Sequence, residues 1–286
     1  VAKEQGWRTY NVSVDAPEGF DVTVMPSTFR LKPGMTATYE VTVSNVSAPV
    51  GEWRHGSLTW SDTTGHYTVY SPVSVNSALV GFPDAVEGSG VDGSTSFDVS
   101  FGYTGDYSAA AHGLEAAMVT SDTVVQDPDQ TFDPGDGYSN PYTFETSGSA
   151  LLRVAIPPEA VADPDIDLDI FLFDPAGSLV ATSTNGGTDE QIDIVLPADG
   201  TWTLWVHGWQ TVGASADFDL YAWIVSATPG GNMTIDSAPS SATIGTSEPV
   251  DVSWSGAATG EWHLGAISHA GNGGLLGLTL VEVDNR

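Results

Sequence analysis

The sequence predicts an all-β protein built from two or three β-sandwich modules in tandem, one of them discontinuous. Short alternating or apolar runs are separated by clusters of Gly, Pro, Asn, Asp and Ser, and no long stretch repeats apolar residues at helical spacing. At 286 residues the chain also exceeds what one hydrophobic core usually fills. Residues 109–118 are the one ambiguous stretch, since their alanine-rich pattern also fits a helix.

The chain is strongly acidic, with 37 Asp and Glu against seven Lys and Arg and a net charge of -30. Such a surface repels phosphate backbones and anionic lipids, so we expect neither nucleic acid nor membrane partners. The absence of cysteine excludes disulfides and thiolate metal sites. No apolar run approaches the roughly 20 residues that span a bilayer, and residues 1–10 lack the layout of a signal peptide. We therefore expect a fragment or processed product of a secreted, extracellular protein.

The first 78 residues carry motifs between short predicted strands. Tyr39-Glu-Val-Thr-Val43 alternates, and Gly56-Ser-Leu-Thr-Trp-Ser-Asp62 precedes the strand Ser71-Pro-Val-Ser-Val75. These motifs resemble the fibronectin type III-like domain that follows the catalytic domain in many subtilisin-like serine proteases. The resemblance implies a first sandwich at residues 1–78.

A second set of motifs lies within residues 142–225. The most specific are Asp165-Ile-Asp-Leu-Asp-Ile-Phe-Leu-Phe-Asp-Pro-Ala-Gly177 and Ala198-Asp-Gly-Thr-Trp-Thr-Leu-Trp-Val-His-Gly208. They resemble the bacterial pre-peptidase C-terminal domain, a small β-sandwich attached to secreted peptidases. The two domains in this order resemble the C-terminal region of a secreted, actinobacterial-type subtilisin-like protease, which implies fibronectin type III-like or jelly-roll-like modules.

The remaining residues predict a discontinuous sandwich made of residues 79–125 and 228–286. Neither segment alone reaches the roughly 100 residues of a fibronectin-like fold, whereas the two together have 106. The strand Asp98-Val-Ser-Phe101 also echoes Asp251-Val-Ser-Trp254. Residues 126–227, which hold the pre-peptidase-like module, would then be an insertion tethered at both ends.

No catalytic residue is assigned in this chain. Gly245-Thr246-Ser247 echoes the nucleophile motif of subtilisin-like proteases, but no helix pattern, general base or oxyanion donor accompanies it, which favours a polar turn. The six histidines have no metal-ligand spacing, and no phosphate loop is present. The resemblance implies that the parent protein's Asp, His and Ser triad lies upstream of Val1.

The resemblance implies a non-catalytic accessory region that stabilises the protease or binds protein substrates. Its expected partners are its own upstream catalytic domain and those substrates. Two alternatives stay open: a carbohydrate- or surface-binding adhesin module, and an independent hydrolase that uses paired carboxylates. Exposed tryptophans would favour the adhesin, but alternation predicts Trp202 in the core and Trp205 on the opposite face, partly exposed.

A row of aspartates is the candidate metal site. Strand alternation points Asp165, Asp167 and Asp169 to one face, where like charges roughly 7 Å apart repel each other. Calcium accepts six to eight oxygen ligands and would remove this repulsion, with Asp193, Asp189 or carbonyl groups of residues 185–187 completing the shell. Calcium is thus the one expected cofactor. The alternative is an acidic, salt-tolerant surface that exposes these carboxylates to water.

Overall fold

The computed structural model describes residues 6–271 and 273–286. It is 62% strand and 1% helix, which confirms the predicted all-β class. Within these residues the helical content is a 3-10 turn at Pro158–Ala160. In the described part of the chain, no helix is long and apolar enough to cross a membrane.

The first unit is a small sandwich of six strands. They are β1 (Arg8–Asp15), β2 (Phe20–Met25), β3 (Thr28–Leu31), β4 (Glu40–Asn45), β5 (Trp53–Asp62) and β6 (Thr68–Asn76). One sheet has the order β3-β1-β5-β6, and β2 pairs with β4 in the other. The core is compact: Tyr10, Val24, Leu58 and Trp60 are buried, and Phe29 packs 4.3 Å from Trp60 between ring centres.

The second unit begins with five strands. They are β7 (Val80–Gly81), β8 (Ala85–Gly88), β9 (Gly93–Phe101), β10 (Gly105–Asp106) and β11 (Ser108–Ala116). Along β9, Phe97, Val99 and Phe101 alternate into the core while their neighbours are exposed, as period-2 patterning requires.

An insert of eight strands follows. They are β12 (Met118–Val125), β13 (Ser139–Thr146), β14 (Ser149–Ile156), β15 (Asp167–Phe173), β16 (Leu179–Ser183), β17 (Glu190–Val195), β18 (Gly200–Gln210) and β19 (Ser215–Ser226). Two sheets, β12-β19-β14-β17 and β13-β18-β15-β16, enclose a core that includes Leu168, Ile170 and Leu172. Strand β12 pairs along its whole length with β19, so the insert's sheet begins before the boundary predicted at residue 126.

The chain then returns to the second unit. Its last strands are β20 (Met233–Ser237), β21 (Ser241–Ala242), β22 (Ser247–Trp254), β23 (Trp262–Gly271) and β24 (Gly274–Asp284). They join the earlier strands in the sheets β7-β9-β22-β20 and β11-β23-β24-β8 and in the short pair β10-β21. Strands from both sides of the insert therefore share sheets and one hydrophobic core, although the division of the chain into three domains stays a prediction.

The ambiguous residues 109–118 lie mostly in strand β11 and are not helical. Alanine favours a helix, but β11 pairs in antiparallel register with β23 and buries Ala111, His112 and Leu114. Tertiary pairing and burial outweigh this weak local preference.

The insert packs against the second unit through the outer face of β14. Even-numbered side chains of β14, such as Leu152 and Val154, enter the insert's own core. Odd-numbered ones, Leu151 and Ala155, join Trp223 in a cluster with Leu264, Ala266 and Leu280 of the second unit. Burial on both faces explains why β14 is an almost continuous apolar run.

The core of the second unit contains a histidine that burial keeps neutral. His269 is fully buried and stacks on Phe82, with 4.2 Å between ring centres. The Thr279 hydroxyl donates to Pro83 O at 2.8 Å and so accepts from His269 Nε2, which leaves Nδ1 to accept from the Tyr107 hydroxyl at 2.7 Å. Burial lowers the pKa of His269 to about 4.

Acidification from pH 6.5 to 4 should therefore destabilise the chain through His269 by about 3 kcal/mol. The unfolded chain takes up this proton near pH 6.5, whereas the folded chain resists until about pH 4, so stability present above pH 6.5 is lost as the pH falls. Urea titrations of the native chain and of His269→Gln across this range measure the effect. The variant should lose less stability over that interval, and parallel curves for the two proteins would contradict the expectation.

Candidate functional site

An open cleft lies on the outer face of the insert's sheet β13-β18-β15-β16. Its cavity is about 360 Å³ and is lined by Phe132, Asp167, Asp169, Phe171, Thr184, Asn185, Gly186, His207 and Trp209. Strand alternation creates this face: Leu168 and Ile170 point into the core, so Asp167, Asp169 and Phe171 point outward. Asp169 and His207 are directly paired across β15 and β18.

The residues after β12 close one side of the cleft. A Cβ atom at Gly208 would lie 2.2 Å from Val125 O, so glycine is needed for the chain to cross β18 here. This crossing brings Asp127 onto His207 and Phe132 onto Phe171, whose ring is parallel to that of Phe132 at 3.8 Å between centres. The cleft is thus built from parts of the chain that are far apart in sequence.

His207 is held between two aspartates. Its Nε2 lies 2.9 Å from Asp127 Oδ2, and Asp127 also accepts backbone N–H groups of Asp129 and Thr131. On the other side Nδ1 lies 3.6 Å from Asp169 Oδ2, with no hydrogen bond formed. Burial works against the charged imidazole, but Asp169 and Asp127 outweigh it and raise the pKa of His207. With the ring fully buried and both nitrogens facing carboxylates, His207 is poorly placed as a general base for a substrate.

Two further carboxylates lie close to this pair. Asp167 Oδ1 is buried without a hydrogen-bond partner, and burial raises the pKa of Asp167. Glu190 is 1% exposed and accepts the Asn185 backbone N–H at 2.9 Å, while its Oε2 has no partner. Burial, strengthened by the charges of Asp169 and Asp167, raises the pKa of Glu190 to about 7. The cleft therefore gathers carboxyl groups that have no Lys or Arg beside them among the described residues that line it.

The structure brings only part of the predicted calcium row together. Asp167 and Asp169 line the cleft, whereas Asp165 precedes β15 in a turn and is exposed. Asp193 belongs to the opposite sheet of the insert, where its carboxylate pairs with Arg153 on the sandwich's other outer face, so it does not complete the shell. Among the described residues, no group of three or more acidic or histidine side chains is spaced to hold a metal ion. Calcium binding stays a prediction.

Sequence reasoning located one wall of the cleft and missed the rest. The alternation of β18 is confirmed: Trp202 is in the core, and Trp205 is partly exposed on the opposite face with His207. That alternation was the signal in the sequence that places His207 on the outer face of the sheet. Asp127 and Phe132 lie in the long connection after β12, and nothing in their local pattern indicates contact with residues about 80 positions later.

Comparison with known protein families supports both sequence resemblances. Residues 1–75 match the fibronectin type-III domain family, and residues 138–208 match the bacterial pre-peptidase C-terminal domain family. Pyrolysin of Pyrococcus furiosus is 32% identical over 95 residues, which are 31% of this chain and 6% of that protein. The chain resembles the C-terminal region of a secreted subtilisin-like protease. In protease relatives, domains of these two matched types are non-catalytic accessory domains.

A second relative and two solved structures are similar in part. The CO(2)-response secreted protease of Arabidopsis thaliana is 39% identical over 75 residues, 26% of this chain and 9% of that protein, so this chain spans less than a tenth of either relative. Tripeptidyl peptidase 2 aligns over 98% of this chain and 27% of its own, with 11% identity and a TM-score of 0.31. The secreted serine protease VesC from Vibrio cholerae aligns over 79% and 48%, with 11% identity and a TM-score of 0.21. Scores this low establish no shared arrangement of the units.

Proposed function

We propose that this chain is the accessory region of a secreted serine endopeptidase, in which the first unit docks on the upstream catalytic domain and the insert presents its cleft to protein substrates. The observation that carries the docking role is an asymmetry of charge. Residues 1–78 hold five of the seven basic residues and seven of the 37 acidic ones, a net -2 against -28 for the rest of the chain. A nearly neutral unit beside a highly acidic one is suited to bury surface against another domain.

Exposed apolar side chains are concentrated in the same unit. Among the described residues, eleven of the 23 large apolar side chains that are exposed lie before residue 79. Trp53 and Tyr70 are 62% and 65% exposed. They share the outer face of the sheet β3-β1-β5-β6, because Tyr70 pairs with Thr59, which lies an even number of residues after Trp53 on the same strand. Aromatic residues exposed on a flat sheet face are typical anchors of protein interfaces.

Docking is tested in the full-length protease with the variants Trp53→Ser and Tyr70→Ser combined. Losing two interface anchors should shorten the half-life of peptidase activity on heating by about tenfold or more, since such anchors each contribute roughly 1–2 kcal/mol. The matched control is Val119→Ser with Val195→Ser, two half-exposed strand residues of the insert. Equal half-lives for the native and the aromatic-deleted enzyme would overturn docking by this face.

The purified 286-residue chain should release no peptides from casein. Ser247 opens strand β22, and its Oγ lies 3.1 Å from the Oγ of Ser100, a partner that cannot act as a general base. Peptide release by the native chain and by Ser247→Ala, measured by amine labelling, tests this directly. Turnover that the Ser247→Ala substitution abolishes would contradict the accessory role.

A further inference from the structure

The cleft of the insert has the size and the charge of a site for one basic side chain. Its volume of about 360 Å³ is near the lower end for small-ligand pockets. Asp127 lies 2.9 Å from His207, whereas Asp169 lies 3.6 Å from it with no hydrogen bond formed, so the carboxyl groups at the cleft outnumber the one histidine beside them. Among the described residues that line the cleft, none is Lys or Arg.

Two polar atoms at this cleft are left without partners. Asp167 Oδ1 is buried and accepts no hydrogen bond. His207, which is fully buried, has an unpaired Nδ1, with Asp169 too far away at 3.6 Å. Native proteins rarely leave such atoms unsatisfied, and Asp167 lines the cleft, where a donor bound between the two aspartates would supply a hydrogen bond to its carboxyl group.

The walls of the cleft distinguish an organic cation from a metal ion. Phe132, Phe171 and Trp209 line it, and the faces of such aromatic rings attract ammonium and guanidinium groups, while the rings also pack against the methylene stem of a long side chain. A calcium ion gains nothing from aromatic walls and needs six to eight oxygens. An anion would meet two carboxylates.

We propose that this cleft binds the cationic end of a lysine or arginine side chain of a protein substrate. The inference rests on the proposed substrate-binding role of the insert. It adds a specificity to that role: the accessory region would hold basic segments of a substrate while cleavage takes place in the catalytic domain.

Calorimetric titration of the 286-residue chain with acetyl-Gly-Arg-Gly-amide and its lysine counterpart tests the site. Both should bind with one-to-one stoichiometry, about tenfold or more tightly than the neutral citrulline and norleucine isosteres, as expected for a charge-assisted hydrogen bond. Asp167→Asn keeps the shape of the side chain and should weaken both peptides about tenfold. Trp209→Leu keeps an apolar wall without the aromatic ring and should weaken them severalfold.

The matched control is Asp98→Asn, which removes one exposed charge from strand β9 of the second unit, in a different sheet from the strands of the cleft. It should leave peptide affinity unchanged, which separates a local site from attraction to the acidic surface as a whole. Equal affinity for charged and neutral peptides, equal weakening by Asp98→Asn, or binding of calcium chloride with no binding of either basic peptide would each overturn the proposal.

The substrate role is tested separately in the full-length protease. Asp167→Asn should lower kcat/KM for casein but leave that for a short chromogenic peptide unchanged. If the isolated chain binds basic peptides and casein turnover does not respond to Asp167→Asn, the site stands and its role in substrate capture fails. If the chain binds no basic peptide, the site itself is rejected whatever the casein result.

Discussion

Replacing Asp193 with alanine should lower the free energy of unfolding by about 3–5 kcal/mol. Asp193 accepts two hydrogen bonds from Arg153, at 2.6 Å from Nε and 2.8 Å from Nη2. Arg153 is only 3% exposed, and Glu282 of the second unit, 2.5 Å from Nη1, is its other carboxylate partner. Without Asp193, the guanidinium of Arg153 is still almost fully desolvated but keeps only the carboxylate partner Glu282. A buried charge with one partner removed lowers the free energy of unfolding.

Arg153→Met should cost less than Asp193→Ala. It removes the buried charge and fills the space with an apolar chain, and the carboxylates of Asp193 and Glu282 remain 30% and 24% exposed, so water can solvate them. Urea unfolding followed by tryptophan fluorescence measures both variants. Glu52→Ala is the control, since it removes an exposed partner of Arg54 and should change stability by less than about 1 kcal/mol.

The same experiment separates the two roles considered for Asp193. If Asp193 acts only through Arg153, its loss is equally costly in calcium and in chelator at matched ionic strength. An effect of Asp193→Ala that disappears in chelator would restore Asp193 as a calcium ligand and contradict the ion-pair explanation. A loss no larger than that of Arg153→Met would show that the guanidinium is not penalised by burial.

The case of Asp193 shows where the sequence was informative and where it was not. Period-2 alternation correctly predicts which side chains of Asp167–Phe173 enter the core, because that pattern is a property of one strand. It cannot tell which sheet a strand joins. Asp193 and Asp167 carry similar local patterns, yet their strands belong to opposite sheets of the insert, and the two side chains point away from the sandwich on opposite sides.

Prediction of the cleft from the sequence has the same limit. The outward positions of β15 and β18 follow from alternation, but the contact between His207 and Asp127 depends on how the connection after β12 crosses Gly208. Likewise, Ala109, Ala110 and Ala111 have a local preference for helix that only the pairing with β23 overrides. Family resemblance indicated the first unit and the insert, and it left these long-range contacts undetermined.

Trp223→Ala should lower the free energy of unfolding by about 3–5 kcal/mol, and it should also loosen the insert from the second unit. Trp223 is 1% exposed, its Nε1 donates to Trp262 O at 3.2 Å, and its ring packs edge-on to Trp262 at 4.6 Å between centres. It lies beside Arg153 in the register of β19 and β14, so it fills the centre of the contact between the two units.

Truncating Trp223 leaves a cavity at this contact while the covalent connections on both sides of the insert remain. Calorimetry should therefore show the insert's transition moving to lower temperature and separating from that of the second unit, because less of the apolar contact couples them. Hydrogen exchange in Leu264 and Leu280, which pack in the same cluster, should become faster. Trp53→Ala, at a residue 62% exposed in the first unit, should change stability by no more than about 0.5 kcal/mol. If Trp223→Ala costs as little as Trp53→Ala, or if the transitions stay together, the insert is held by its two chain connections and not by this cluster.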